Sequence, residues 1–388
     1  MPQPIYLDHA ATTPVRPEVF EAMQPFFGPR FGNPSSIHRW GREARVSLDE
    51  ARERLARCLG ARTDEVCFTS GGTEGDNLAI LGAWRGRDGS RANRRAIVTT
   101  PIEHKAVLAA VHQAVSEGAT ERFLGVTADG RIDLDRAAEV LDAEVALVTA
   151  MWVNNEIGTI QPIAELATLA RACGSLVHTD AVQAFGKLPI DLSALPVDLL
   201  TVSGHKIGAP KGAGAVYIRR GTSVQPLLFG GSQDQGRRPG TENVAAAVGL
   251  ARAAELAVAE RETECARLRA TRDALETALL ARIPDAVVHG RNAPRAPHIL
   301  NISVPGTDSE SLLMALDLAG VACSSGSACQ SGGVSPSHVL AALGVQTELA
   351  TAAIRMSLGA LTTEDCVDRV AQLFPALIEK ARRLSGMV

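Results

Sequence analysis

Two thiols, Cys323 and Cys329, lie six positions apart in CSSGSACQSGG (323–333), among serines and glycines. A packed core has no use for so many small, conformationally free residues around a thiol. Three chemistries fit the pattern: metal ligation, one half of a disulfide, or nucleophilic attack from a movable arm. The chain contains no CxxC pair, and its seven cysteines are widely scattered. A structural zinc site and a disulfide-stapled secreted fold are therefore disfavoured.

A second centre is DLLTVSGHKIGAPKGAGAVYI (198–218), where an apolar strand ends in Ser203-Gly204-His205-Lys206. Only five lysines occur in the chain, Lys105, Lys187, Lys206, Lys211 and Lys380, so a catalytic amine has few candidates. At the carboxyl edge of a sheet, low-dielectric surroundings depress a lysine pKa, and the neutral amine is the form that makes an imine with an aldehyde. The alternative is a solvated loop lysine. Ser203 and His205 can donate hydrogen bonds to a phosphate.

Further polar groups follow other strands. In SLVHTDAVQAFGK (175–187), Asp180 either faces a cation such as a pyridinium nitrogen or caps the next helix, and Gln183 suits a phenolic oxygen. CFTSGGTEGDNLAI (67–80) runs through Gly71-Gly72-Thr73 into an apolar helix, with Thr73 and Asp76 at capping-box spacing. Free N–H groups at such a helix start bind phosphate, although the Walker pattern is absent. His104 follows the strand AIVTT and can stack on an aromatic ring and move protons. Asn155 follows VALVTAMWV. A lone histidine or asparagine in such a place also serves as a turn former.

The elements that must position these groups alternate. EVCFTS (65–70), AIVTT (96–100), VALVTAMWV (145–153), SLVHTD (175–180), LLTVS (199–203) and GAVYI (214–218) read as strands. Helical patterns such as ELATLARACG (165–174) lie between them. This βαβ rhythm predicts an α/β fold with a mostly parallel sheet covered on both faces, with ligands beyond the carboxyl ends of its strands. A long helical stretch, 241–283, leads into a second, α+β region with strands at HILNISV (298–304) and AAIRMSLG (352–359). Helices are predicted at 310–320 and 364–384, the latter containing Pro375. A chain of 388 residues predicts two domains: a large one over 15–260, and a small one formed by 1–14 and 261–388 that carries the thiol loop, about 323–335.

Taken together, the chain resembles the cysteine desulfurases of the NifS/IscS type, pyridoxal-phosphate enzymes of the aspartate-aminotransferase fold (fold type I). The resemblance runs from YLDHAATTP at the start through FGNPSSIH, TSGGTE, EHKAV, NNEIG, HTDAVQ, SGHKIGAPKG and RRPGTEN to SSGSACQSG and IRMSLG. It implies a seven-stranded sheet in the large domain. It also implies that Lys206 holds pyridoxal 5'-phosphate as an imine and shuttles the Cα proton, that His104 stacks on the ring, that Asp180 pairs with the ring nitrogen and that Gln183 meets the ring oxygen. Gly72, Thr73, Ser203 and His205 would hold the phosphate. Thr241, in RRPGTEN, would reach the phosphate of a neighbouring subunit, which requires a homodimer. Asn155 would lie against the cofactor, and Arg355 would grip the substrate carboxylate with help from Asn155. Cys329 would take the sulfur of L-cysteine as a persulfide, leaving alanine, and pass it to an acceptor such as an iron–sulfur scaffold. Cys323 and the remaining cysteines would be packing residues. The chain departs mildly from common family wording at Gly208-Ala209 and in SGGVSPSHVL after the nucleophile. The loop length favours the class that donates to a cluster scaffold.

The resemblance leaves selenocysteine lyase as a second enzyme of the same fold. A non-catalytic cluster-binding protein, with Cys329 as a transient iron–sulfur ligand, is an alternative of another class. No intrinsic metal is expected. A formal charge of -4 argues against a general nucleic-acid or membrane-surface binder. The start lacks a basic-then-apolar leader and no apolar run approaches the ~18 residues of a membrane helix, so cytoplasm is the default location.

Overall fold

The computed structural model of the chain describes residues 3–325 and 336–384. Strands form where the apolar runs stand. In chain order they are β1 (Ile5–Tyr6), β2 (Val66–Thr69), β3 (Ala96–Thr99), β4 (Thr120–Phe123), β5 (Val145–Thr149), β6 (Leu176–Asp180), β7 (Leu199–Ser203), β8 (Gly214–Ile218), β9 (Val287–Val288), β10 (Ile299–Ser303), β11 (Val321–Ala322) and β12 (Ala353–Ser357). The main sheet has seven strands in the order β2-β8-β7-β6-β5-β3-β4. Only β8 runs antiparallel to its neighbours.

Strands β3, β5, β7 and β8 are buried at every position. A strand covered on both faces reads as an unbroken apolar run, and for that reason these strands are visible in the sequence. Their side chains divide between two cores. Val98, Val148, Leu200 and Tyr217 join Leu55 and Leu59 of helix Arg39–Leu59 and Leu166 and Ala170 of helix Ile163–Ala172. Ile97, Leu147, Leu199 and Val216 join Leu78 and Trp84 of helix Gly72–Arg85 and Val107 and Val111 of helix Lys105–Ser116.

Strand β4 is absent from the sequence reading. Its sequence, TERF, is half-exposed at the sheet edge and carries charge at its centre, as unpaired edges commonly do. Strand β5 is shorter than VALVTAMWV predicts. After Thr149 the backbone leaves the sheet: Met151 N–H donates to the Glu103 carboxylate at 2.9 Å, and Trp152 N–H to Asp180 O at 2.9 Å.

A smaller sheet, β12-β10-β9, is antiparallel, and β1 pairs in parallel with β11. Its core contains Leu300, Ile302, Ile354 and Met356 with Leu312, Leu316, Val370 and Phe374. Helix Glu364–Leu384 continues through Pro375. Helix Val244–Arg282 serves both cores: Ala245, Leu250 and Ala254 pack in the first, and Leu268, Leu275 and Leu279 in the second. Its 39 residues make a rod about 58 Å long that passes unbroken through residue 260. No helix among the described residues is long and apolar enough to cross a membrane.

Phe374 is fully buried in the smaller core. Replacing it by alanine removes a large apolar side chain and leaves a cavity. Phe374→Ala is expected to lower unfolding free energy by about 3–5 kcal/mol, read from the denaturant midpoint.

Candidate active site

Strand β7 ends at Ser203, and the chain tightens into a 3₁₀ turn, Gly204–Lys206. This turn puts Lys206 at the carboxyl edge of the sheet, with its amine facing the N-terminal segment. Lys206 Nζ donates to Ala10 O at 2.6 Å and to Ala11 O at 2.8 Å. The segment is held there independently: Thr13 N–H and its hydroxyl both donate to His205 O, at 2.9 and 2.8 Å, and Gly208 N–H donates to Thr13 Oγ1 at 2.9 Å. Burial and then the nearby Arg355 lower the Lys206 amine from 10.5 to about 8, against the opposing pull of Asp180 and Asp8. Near neutral pH a useful fraction is therefore the neutral nucleophile.

The amine opens onto a cavity of about 420 Å³. Asp180, the last residue of β6, lines it and is buried. Its carboxylate accepts from Val182 N–H at 2.8 Å, so it caps the following turn and also faces the cavity. Burial raises its pKa, and His104 and Lys206 pull it back. A cation in the cavity would relieve that burial cost. His104 caps helix Lys105–Ser116, accepting from Ala106 N–H through Nδ1 at 3.2 Å. Nε2 is then the protonated nitrogen of the neutral ring, and burial lowers the imidazole pKa. Gln183 donates through Nε2 to Ala10 O at 2.9 Å, which orients its amide at the cavity wall.

At the other end, helix Gly72–Arg85 begins beside Ser203 and His205, and all of these line the cavity with Thr73. Gly71 has φ 152°, a backbone state that side chains resist. A Cβ on Gly214 would meet Gly71 Cα at 2.6 Å, so strand β8 passes the turn only because glycine stands there. The Thr73–Asp76 capping box predicted from spacing does not form, because the helix cap is Gly71 and Thr73 already lies inside the helix. Asp76 turns inward instead, 3.7 Å from His178 Nε2. Ser70 N–H is satisfied by the Glu74 carboxylate at 2.8 Å. Ser203 Oγ is buried with no hydrogen-bond partner among the described residues. Unpaired helix N–H groups and this free hydroxyl fit an anion such as phosphate. His205 is neutral, its pKa lowered to about 4 by burial and by the nearby Lys206 and Lys211.

Arg355, on β12, closes the cavity from the smaller sheet and is buried. Its guanidinium donates to Asp8 Oδ1 at 2.8 Å and to Asn155 O at 3.0 Å, while Nε has no partner among the described residues. It is therefore a buried, anchored cation with donor capacity left for a carboxylate. Asn155 Oδ1 is also buried and unpartnered at the cavity wall. The anchoring by Asp8 has no local sequence signal, because the two residues are 347 positions apart.

Ten of the predicted site residues line one cavity: Gly72, Thr73, His104, Asn155, Asp180, Gln183, Ser203, His205, Lys206 and Arg355. Thr241 does not. It lines a separate cleft of about 220 Å³ with Ser70, Asp234 and Arg238. Cys329 lies outside the described residues, but both flanks of its segment reach the cavity: Ser324 and Ser325 on one side, His338 on the other. Ser324 exchanges backbone hydrogen bonds with Arg355, at 3.1 and 2.6 Å, and His338 Nε2 donates to Glu103 O at 2.9 Å. Cys323 packs against the smaller core, where burial pushes its thiol up to about 12, so it is not a thiolate. Burial likewise raises Cys58, Cys67 and Cys265. Sequence reasoning missed two buried carboxyl groups beside the site. Glu103, pushed up to about 8 by burial, holds the Met151 turn. Glu156, pushed up to about 7, accepts from the Ser337 hydroxyl. Among the described residues no group of three or more His, Cys, Asp or Glu is placed to hold a metal.

The aminotransferase class-V model matches residues 5–370. "Cysteine desulfurase IscS" of Dictyoglomus turgidum is 44% identical over 385 residues, covering 99% of this chain and 97% of its own. "Cysteine desulfurase NifS" of Azotobacter vinelandii is 45% identical, covering 98% and 94%. Among solved structures, a "NIFS-like protein" superposes with TM-score 0.90 at 35% identity, covering 97% of this chain and 100% of its own. "SspA in complex with cysteine" has TM-score 0.79 at 32% identity, covering 91% and 98%. With matches of this depth over nearly its whole length, the chain belongs to the aminotransferase class-V family, among the cysteine desulfurases of the NifS/IscS type.

Proposed function

We propose that the protein is a pyridoxal-phosphate-dependent cysteine desulfurase that converts L-cysteine to L-alanine and carries the sulfur on Cys329 as a persulfide. The observation that carries this reading is the meeting of a depressed lysine amine, a buried carboxylate and a phosphate-suited helix start in one cavity, with both flanks of the Cys329 segment at its wall. A relative solved with cysteine supports the substrate.

The residues present fit the cofactor. Gly72, Thr73, Ser203 and His205 would hold its phosphate, Asp180 its ring nitrogen, Gln183 its ring oxygen and His104 its ring face, with Asn155 beside it. When bound, it supplies an aldehyde for the Lys206 amine and a conjugated ring that accepts electron density from Cα. Arg355, helped by Asn155, orients the amino acid by its carboxylate. Lys206, once released as a free amine, takes the Cα proton and later returns it. The Cys329 thiolate attacks the substrate sulfur: an S–S bond forms, the Cβ–S bond breaks, and Cβ gains a proton to become the methyl group of alanine. Two electrons pass from sulfur to carbon, so no outside oxidant is required. His104, with Nε2 protonated, is placed to give or take a proton near these atoms.

Cys329 is four residues beyond Ser325 in the sequence, and Ser325 lines the cavity. We further propose a homodimer, in which Thr241 reaches the neighbouring subunit's phosphate. Ile37 at 90% exposure and Phe229 at 88% are apolar side chains that a second copy would cover. An acceptor protein, such as an iron–sulfur scaffold, would receive the persulfide. The cytoplasm is the proposed location. The proposed division is a large domain over 15–260 and a small one over 1–14 and 261–388.

Mass spectrometry after exposure to L-cysteine is expected to find one added sulfur, on the peptide containing Cys329. Cys329→Ser is expected to lose it and to fall at least 100-fold in alanine formation while keeping the cofactor absorbance; unchanged turnover would remove Cys329 as the nucleophile. Lys206→Ala is expected to lose both turnover and the absorbance of the lysine-bound cofactor. For cofactor uptake by apoprotein, the Lys206 amine must be neutral. Its pKa is lowered from 10.5 to about 8, so the uptake rate is expected to rise about tenfold per pH unit below 8 and to level off above it. A plateau beginning only near pH 10 would mean that the amine is solvated. Sedimentation is expected to give a mass of two chains.

A further inference from the structure

Behind the Lys206 turn lies a second, larger chamber of about 810 Å³. It sits between the N-terminal segment, the middle of helix Val244–Arg282 and the turn after β12. Its walls are mostly apolar: Pro14, Val15, Phe185, Ile207, Ala257 and Leu361. Ligand cavities have this size and this character, apolar walls with a few convergent polar groups.

Three of its polar groups, His9, His298 and Lys187, are unusual in being unspent. His9 and His298 line the chamber at 4% and 3% exposure. His9 Nδ1 donates to Ser357 O at 3.2 Å, which leaves Nε2 as a bare lone pair with no partner among the described residues. His298 Nε2 faces Gln183 Oε1 at 3.3 Å. Gln183 Nε2 is committed to Ala10 O, so its Oε1 accepts and His298 Nε2 carries the proton. His298 Nδ1 is then the second buried lone pair, also without a partner. Both lone pairs are buried within residues of the chamber wall, and a buried acceptor without a donor carries a desolvation cost.

Lys187 lines the same chamber, and its amine makes no hydrogen bond or ion pair with any described residue. The acids on the lining are already held, Glu18 and Glu260 by Arg16 and Glu264 by Arg267. Burial lowers the Lys187 pKa, and an anion in the chamber would offset that cost and hold the amine charged. We propose that this chamber is a second ligand site, taking a small organic anion with an apolar body and one N–H or O–H donor. The anion meets Lys187, the donor meets His9 or His298, and the body lies on the apolar walls. The chamber shares Val182, Gln183 and Lys206 with the first cavity, and His298 is tied to it through Gln183, whereas Lys187 and His9 have no role in the proposed chemistry.

The test uses cofactor-loaded protein and 8-anilinonaphthalene-1-sulfonate, a probe with an aromatic body, a sulfonate and an N–H group. Titration followed by fluorescence is expected to show one saturable site per chain. Lys187→Gln is expected to weaken the dissociation constant at least fivefold, and Lys187→Arg to restore it to within twofold. Val15→Asp, at a half-exposed wall position, is expected to weaken it as much by placing a negative charge against the anion. Circular dichroism confirms that each variant is folded. Fluorescence that never saturates in the parent protein would overturn the site, as would parent-like binding by both Lys187→Gln and Val15→Asp.

Discussion

A lysine amine kept from water at the end of a β-strand is the constraint on which the rest of the site depends. An ammonium in that position loses hydration, and the protein returns only part of it through the carbonyls of Ala10 and Ala11. The deficit is what depresses the amine. It can be sustained because the carbonyl-bearing segment is fixed by its own bonds from Thr13 to His205 and Gly208. The chain's first residues are thus part of the environment of residue 206, although sequence distance hides this. Without that lid of backbone, water would reach the amine and restore its ordinary basicity.

Around this amine the charges are arranged by burial more than by pairing. Asp180, Asp76, Glu103 and Glu156 are all buried carboxyl groups, and in each case burial is the largest influence and raises the pKa. They serve different purposes. Glu103 and Glu156 spend their oxygens on the Met151 backbone and the Ser337 hydroxyl, which fix the turns that wall the cavity. Asp180 retains a face toward the cavity. Arg355 is the matching cation, prevented from drifting by Asp8 and the Asn155 carbonyl. Asp8, just after β1, bridges to Ser357 at the end of β12, so the N-terminal segment supplies the anchor and the smaller sheet the arginine.

Much of this was legible in the sequence because doubly buried strands must be apolar throughout. LLTVS and GAVYI stand where their apolar runs end, and the groups that follow strands, Lys206, Asp180 and His104, converge on one cavity as a parallel sheet requires. The failures have physical causes. TERF has a single apolar residue, Phe123, and that one is exposed, so the strand leaves no apolar signature. Thr73 and Asp76 have capping-box spacing, but Gly71 ends the turn one step earlier and Asp76 is drawn toward His178. The Asp8–Arg355 contact follows from tertiary packing that no local pattern encodes. The chemistry of Cys329 was read from its neighbours in sequence, and its position belongs to the residues outside those described.

The two backbone bonds between Ser324 and Arg355 carry a mechanical consequence. The root of the cysteine-bearing segment and the proposed carboxylate grip are stitched into one rigid unit. A shift of the β12 backbone at Arg355 is therefore passed directly to Ser324, so whatever moves the arginine also moves the residue from which that segment departs.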